Sequence, residues 1–160
     1  MRLLLPALAV VLSSCSLFGG GAAEVEVRYA FEPPASAEGL SFSATVDAGG
    51  TTRTLERGDF EPVGDWQFGA APLAVAASPA RVTCAVGRGG AESTVSVEIA
   101  LHDDWEYDVY CTVSLRDPAW GCFGCRGSAV IALDPALGLD PSLRLGVAWG
   151  GEHRDSGIVY

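Results

Sequence analysis

From Glu24 onward the apolar residues recur at every second position, and this period of two commits the chain to half-buried strands. Val25, Val27, Tyr29 and Phe31 alternate with Glu24, Glu26 and Arg28. Leu40, Phe42, Ala44 and Val46 do the same against Ser41, Ser43, Thr45 and Asp47, and that run stops at the turn residues Gly49 and Gly50. The segment 51–57 is β-branched but weakly apolar and charged, which is the composition of an edge strand. Pro62, Pro72 and Pro79 punctuate the next stretch, where 73–77 is the one expected strand.

The central part carries the clearest pattern. Val82, Cys84 and Val86, the cluster Gly87-Arg88-Gly89-Gly90, then Val95, Val97, Ile99 and Leu101 spell a hairpin. A polar turn at 102–104 leads into Tyr107, Val109, Cys111, Val113 and Leu115. Further strands are expected over 128–133 and 143–149, with 158–160 pairing back on the latter. Helical signals reduce to a single turn, where Asp134 can cap, Pro135 suits the first position and Gly138 a left-handed end. The prediction is an all-β, antiparallel two-sheet sandwich over 24–160, of immunoglobulin-like or fibronectin-like architecture.

The first 23 residues differ in kind. Met1-Arg2 precede an apolar run from Leu3 to Leu12, broken only by Pro6 and followed by Ser13 and Ser14. That is the anatomy of an export signal, and it is shorter than the roughly 20 apolar residues a spanning helix requires. Leu12-Ser13-Ser14-Cys15 resembles the lipobox of bacterial lipoproteins. The resemblance implies a signal peptide over 1–14, cleavage before Cys15, and acylation of that cysteine as a membrane anchor. Ser16, in place of the aspartate associated with inner-membrane retention, implies the outer membrane of the cell envelope. Residues 15–23, with Gly19, Gly20 and Gly21, read as a flexible tether.

Charge narrows the partners. The chain has 10 basic residues, all arginine, against 20 carboxylates, a formal charge of −10. Losing residues 1–14 would remove Arg2 and leave −11. Phosphate backbones need clustered basic side chains, so nucleic acid is not an expected partner. The membrane is contacted through the Cys15 anchor, and a protein or glycan ligand suits the remainder.

With Cys15 assigned to lipid, Cys84, Cys111, Cys122 and Cys125 are an even set of disulfide candidates in an exported chain, open to three pairings. Cys84 and Cys111 both lie on apolar strand faces. In a simple three-strand meander they would stand about 10 Å apart, beyond the roughly 7 Å a disulfide spans, so a bridge between them requires opposite sheets. Cys122-Phe123-Gly124-Cys125 is a C-x-x-C in a glycine-rich loop. A local structural disulfide is the first expectation. The alternative function is thiol–disulfide exchange, with Arg126 lowering a thiol pKa, although such motifs usually open a helix.

No cofactor, metal set or catalytic residue is predicted. Two histidines, His102 and His153, cannot make a three-histidine site, and no G-x-S-x-G is present. The carboxylates at 103, 104, 106 and 108 lack the ordered spacing of a calcium loop and read as a solvated hairpin end. Gly150 to Asp155 reads as a second polar turn. Trp149 is expected in the core, while Trp105 and Trp120, in loops, are the binding candidates. The expected function is a lipid-anchored envelope sandwich with a binding or structural role and no catalysis.

Overall fold

The computed structural model describes residues 23–32, 38–60, 71–75, 78–118 and 124–153. Within them, nine strands form a sandwich of two sheets. One sheet joins β1 (Ala23–Phe31), β4 (Ala71–Val75), β7 (Trp105–Ser114), β8 (Gly127–Ala132) and β9 (Arg144–His153) in the order β4-β1-β7-β9-β8. The other joins β2 (Ser41–Ala48), β3 (Thr51–Glu56), β5 (Ala80–Arg88) and β6 (Ala91–Ile99) in the order β3-β2-β5-β6. Neighbours are antiparallel apart from β1 and β7, which run parallel from Glu24 opposite Glu106 to Phe31 opposite Val113.

The hairpins form where glycine permits a left-handed backbone. Gly49 and Gly50 (φ 57° and 79°) join β2 to β3, and Gly89 and Gly90 (φ 58° and 86°) join β5 to β6. Two consecutive residues at positive φ make the turn whose twist matches that of paired strands. The alternating residues then point into one core. Val25, Val27, Tyr29 and Phe31 from β1 meet Phe42, Ala44 and Val46 from β2, all at most 4% exposed. Tyr29, Phe31, Phe42 and Phe60 pack ring on ring, with centroids 4.7 to 5.9 Å apart. Each fully buried large side chain contributes about 2 kcal/mol by leaving water. The Tyr29 hydroxyl donates to the Ala85 carbonyl at 2.7 Å, and burial pushes its phenol pKa far above the ordinary tyrosine value.

Two 3₁₀ turns lie wholly within the described residues: Arg57–Asp59, where the sequence offered no helical signal, and Pro135–Leu137, which is built as its sequence predicts. Asp134 accepts from the Ala136 amide at 2.9 Å and Gly138 closes the turn at φ 67°. Arg88 then ties it to the sandwich by donating to the carbonyls of Leu137 (2.8 Å) and Glu38 (2.6 Å).

Several expectations shift. Ala23, placed in the tether by its sequence, is buried at the start of β1 and pairs with Val75. β4 starts two residues before the expected 73. Trp105, expected in a loop, opens β7, and Gly150 to His153, expected in a turn, extend β9. Both changes have one cause: β7 and β9 pair along their whole length, from Trp105 opposite His153 to Ser114 opposite Arg144. Trp149 is half-buried rather than buried. The expected strand at 158–160 lies outside the described residues.

Candidate functional site

The chemistry-bearing residues gather where β7 begins and β9 ends. The register there sets Trp105 against His153, Glu106 against Glu152, Tyr107 against Gly151 and Asp108 against Gly150. Alternation sends these pairs to opposite faces. Trp105 and Tyr107 turn inward, while Glu106, Asp108 and Glu152 turn outward.

On the inner side an aromatic cluster closes the end of the sandwich. The Trp105 ring lies 5.3 Å from His102, 6.1 Å from Tyr107 and 6.2 Å from His153, centroid to centroid. The Arg126 guanidinium sits 4.9 Å from the Trp105 ring centre, a cation–π contact. Both histidines of the chain therefore pack on one tryptophan. The Tyr107 hydroxyl accepts from the His102 amide at 2.7 Å and fixes the turn before β7. Trp105 is engaged on several sides by its own chain, so its role is packing more than an open platform.

On the outer side lies a groove of about 220 Å³, lined by Glu106, Asp108, Gly124, Arg126, Gly150, Gly151 and Glu152. Its glycines admit other parts of the chain. A Cβ on Gly151 would fall 2.6 Å from the Tyr107 ring, and one on Gly150 would fall 3.1 Å from the Gly124 carbonyl oxygen and 3.6 Å from the Cys125 Cα. Beyond the groove, Arg28 bridges Glu26 (2.6 Å) and Asp108 (3.9 Å). Partial burial raises the Asp108 pKa. Arg28 opposes that rise, and the charges of Glu26 and Glu152 add to it. Burial likewise raises Tyr110, reinforced by Asp108. Burial alone would lower Arg28, but its hydrogen bond to Glu26 and the charges of Tyr110, Glu26 and Asp108 hold it above its ordinary value.

The described ends of the connection from β7 to β8 both lie against the outer face of β9. Pro118 covers Gly146, where a Cβ would meet the proline ring at 2.6 Å, and Gly124 and Cys125 cover Gly150. Ala148, between them, is fully buried on the same face. The Arg126 amide then bonds to the Trp149 carbonyl at 2.8 Å and starts β8. This is the loop that carries the C-x-x-C.

The cysteines divide as follows. Cys84 on β5 and Cys111 on β7 are joined by a disulfide, with Cα atoms 5.8 Å apart across the two sheets. The meander geometry does not apply, because the chain leaves the sheet of β5 and β6 at the His102 turn and enters the other one at β7. Cys125 is disulfide-bonded to a partner outside the described residues. Cys15, Cys122 and Trp120 also lie outside them. Arg126, expected to act on a thiol, is engaged over Trp105.

The sequence named Arg126 only as a neighbour of a thiol and the carboxylates at 106 and 108 only as a solvated hairpin end, and it did not bring them together in a groove. One signal pointed to it: Gly146, Ala148 and Gly150 alternate with the core residues of β9, so both faces of that strand are small or apolar, and such a strand is covered on both sides. Among the described residues no group of three or more histidine, cysteine or acidic side chains is arranged to hold a metal ion, and no helix is long and apolar enough to cross a membrane. No protein-family model, curated protein or solved structure matches the chain.

Proposed function

We propose that the chain is an exported, lipid-anchored protein of the bacterial cell envelope, held to the outer membrane through Cys15, whose sandwich has a binding or structural role rather than a catalytic one. The observation that carries this reading is the Cys84–Cys111 bridge, buried at 0% exposure in the centre of the core. Such a bridge belongs to an oxidising compartment, to which the run before Cys15 independently addresses the chain. Each buried acyl methylene adds about 0.8 kcal/mol of membrane affinity, so a multiply acylated Cys15 anchors firmly. The sandwich then presents the groove of Glu106, Asp108, Glu152 and Arg126 to a protein or glycan ligand.

Thiol exchange through Cys122 and Cys125 has less support. Cys125 packs against Gly150, and the amide that follows it is bonded to β9. Both contacts suit a disulfide that pins a loop.

Growth of an expressing bacterium with labelled palmitate tests the anchor. Label is expected in the native chain and absent from Cys15→Ser, which should then be released without detergent. An unlabelled native chain, or label persisting in Cys15→Ser, would overturn the proposal.

A further inference from the structure

β1 and β7 run parallel and start at one end of the sandwich, where Glu24 stands opposite Glu106. β9 finishes there, with His153 opposite Trp105, and the His102 and Gly49-Gly50 turns close the same end. At the other end lie the Gly89-Gly90 turn, the 3₁₀ turn at Pro135–Leu137 and a cavity of about 290 Å³ whose lining includes Ser41, Glu56, Arg57 and Glu92. Ala23 already pairs with Val75, so the chain has the eight steps from Cys15 to Ala23 in which to reach the fold. Fully extended, those steps span about 28 Å. The strands rise about 31 Å from Trp105 to Ser114 at about 3.4 Å per residue, and the far turns stand beyond that.

We propose, resting on the reading that Cys15 is acylated, that the anchored sandwich stands on the end where β1 begins. The groove of Glu106, Asp108 and Glu152 is then held next to the bilayer, and the cavity of Ser41, Glu56 and Arg57 faces away from it. The tether is shorter than the strands are long, so the far end cannot be turned to the membrane. Charge keeps the domain from lying down on the sheet of β1, β7 and β9. Glu24, Glu106 and Glu152 form one row across those strands, and Glu26 and Asp108 begin the next. Anionic headgroups repel such a surface. The ligand of the groove is therefore one presented at the membrane surface.

Energy transfer to the bilayer reads the orientation. The acylated full chain is added to preformed vesicles of phosphatidylethanolamine and phosphatidylglycerol that carry an acceptor on the headgroups. The donor sits on Asp103→Cys at the near end or on Ala136→Cys at the far end, both exposed positions, with labelling of the native chain as background. The two ends differ by about 31 Å in height, so transfer from the near donor should be at least about twofold greater. Inserting about 20 Gly and Ser residues between Gly21 and Ala22 lengthens the reach to about 95 Å and should abolish the difference. Equal transfer from the two positions, or more from the far one, in chains that float with the vesicles would overturn the orientation and leave the anchor standing. A difference undiminished by the insertion would overturn it as well, because tether length would not be its cause. A native chain that fails to float with the vesicles would overturn the anchor and the orientation together.

Discussion

Cys84, central in β5, and Cys111, central in β7, face each other across the core with Cα atoms 5.8 Å apart although they stand 27 positions apart in sequence. They join the middle of one sheet to the middle of the other. Closing a loop of that length stabilises a fold by about 3.5 kcal/mol through loss of unfolded-chain entropy. The double variant Cys84→Ala/Cys111→Ala is therefore expected to lose about 3 kcal/mol in urea unfolding. A loss under about 1 kcal/mol would mean that the sheets hold together without the bridge.

Gly146 tests the loop over β9. Its missing side chain leaves room for the Pro118 ring, which a Cβ would approach to 2.6 Å. Gly146→Ala must push back either the proline or the strand, and overpacking of this kind costs about 1 to 3 kcal/mol. Gly58→Ala, with nothing within 4 Å of the new atom, is the control and should stay within about 0.5 kcal/mol of the native chain. Thermal unfolding of both variants reads the difference.

Asp108 gives the outer face a pH dependence. Its pKa is raised in the fold, chiefly by burial, so folding favours the neutral acid. The corresponding stability is present below the ordinary aspartate range and is lost as pH rises through the folded value. Asp108→Asn keeps the neutral form at every pH but gives up the attraction to Arg28. It should be more stable than the native chain at pH 7 and equal to it below about pH 3. The side chain is 50% exposed, so solvent screening keeps the gain to a few tenths of a kcal/mol, measurable as a difference between two urea titrations.

Much of the fold was legible before any coordinates. Glycine pairs marked both tight hairpins, and Asp134, Pro135 and Gly138 marked one of the two described 3₁₀ turns, because these features depend on backbone preferences of adjacent residues; the turn at Arg57–Asp59 carried no such signal. The candidate site was less legible. Trp105 read as an exposed loop residue because its neighbours His102 to Asp104 are polar, yet pairing with His153 draws it into β7. Arg126 read as a partner for a thiol because it follows Cys125, whereas its guanidinium stacks on a tryptophan 21 positions away in the chain.

What the sequence determined by itself was local: a chain of strands with one wet and one dry face, glycine pairs at tight turns, and two cysteines, Cys84 and Cys111, on apolar strand faces. Period-two alternation and turn chemistry act between near neighbours, so they survive in one dimension. Tertiary structure alone decided which strands share a sheet. Whether Cys84 and Cys111 could meet depended on the chain changing sheets after β6. The covered outer face of β9 depended on where the connection after β7 was laid. Those outcomes rest on contacts between residues far apart in the chain, chosen by burial of both sheet faces together, and no local pattern encodes them.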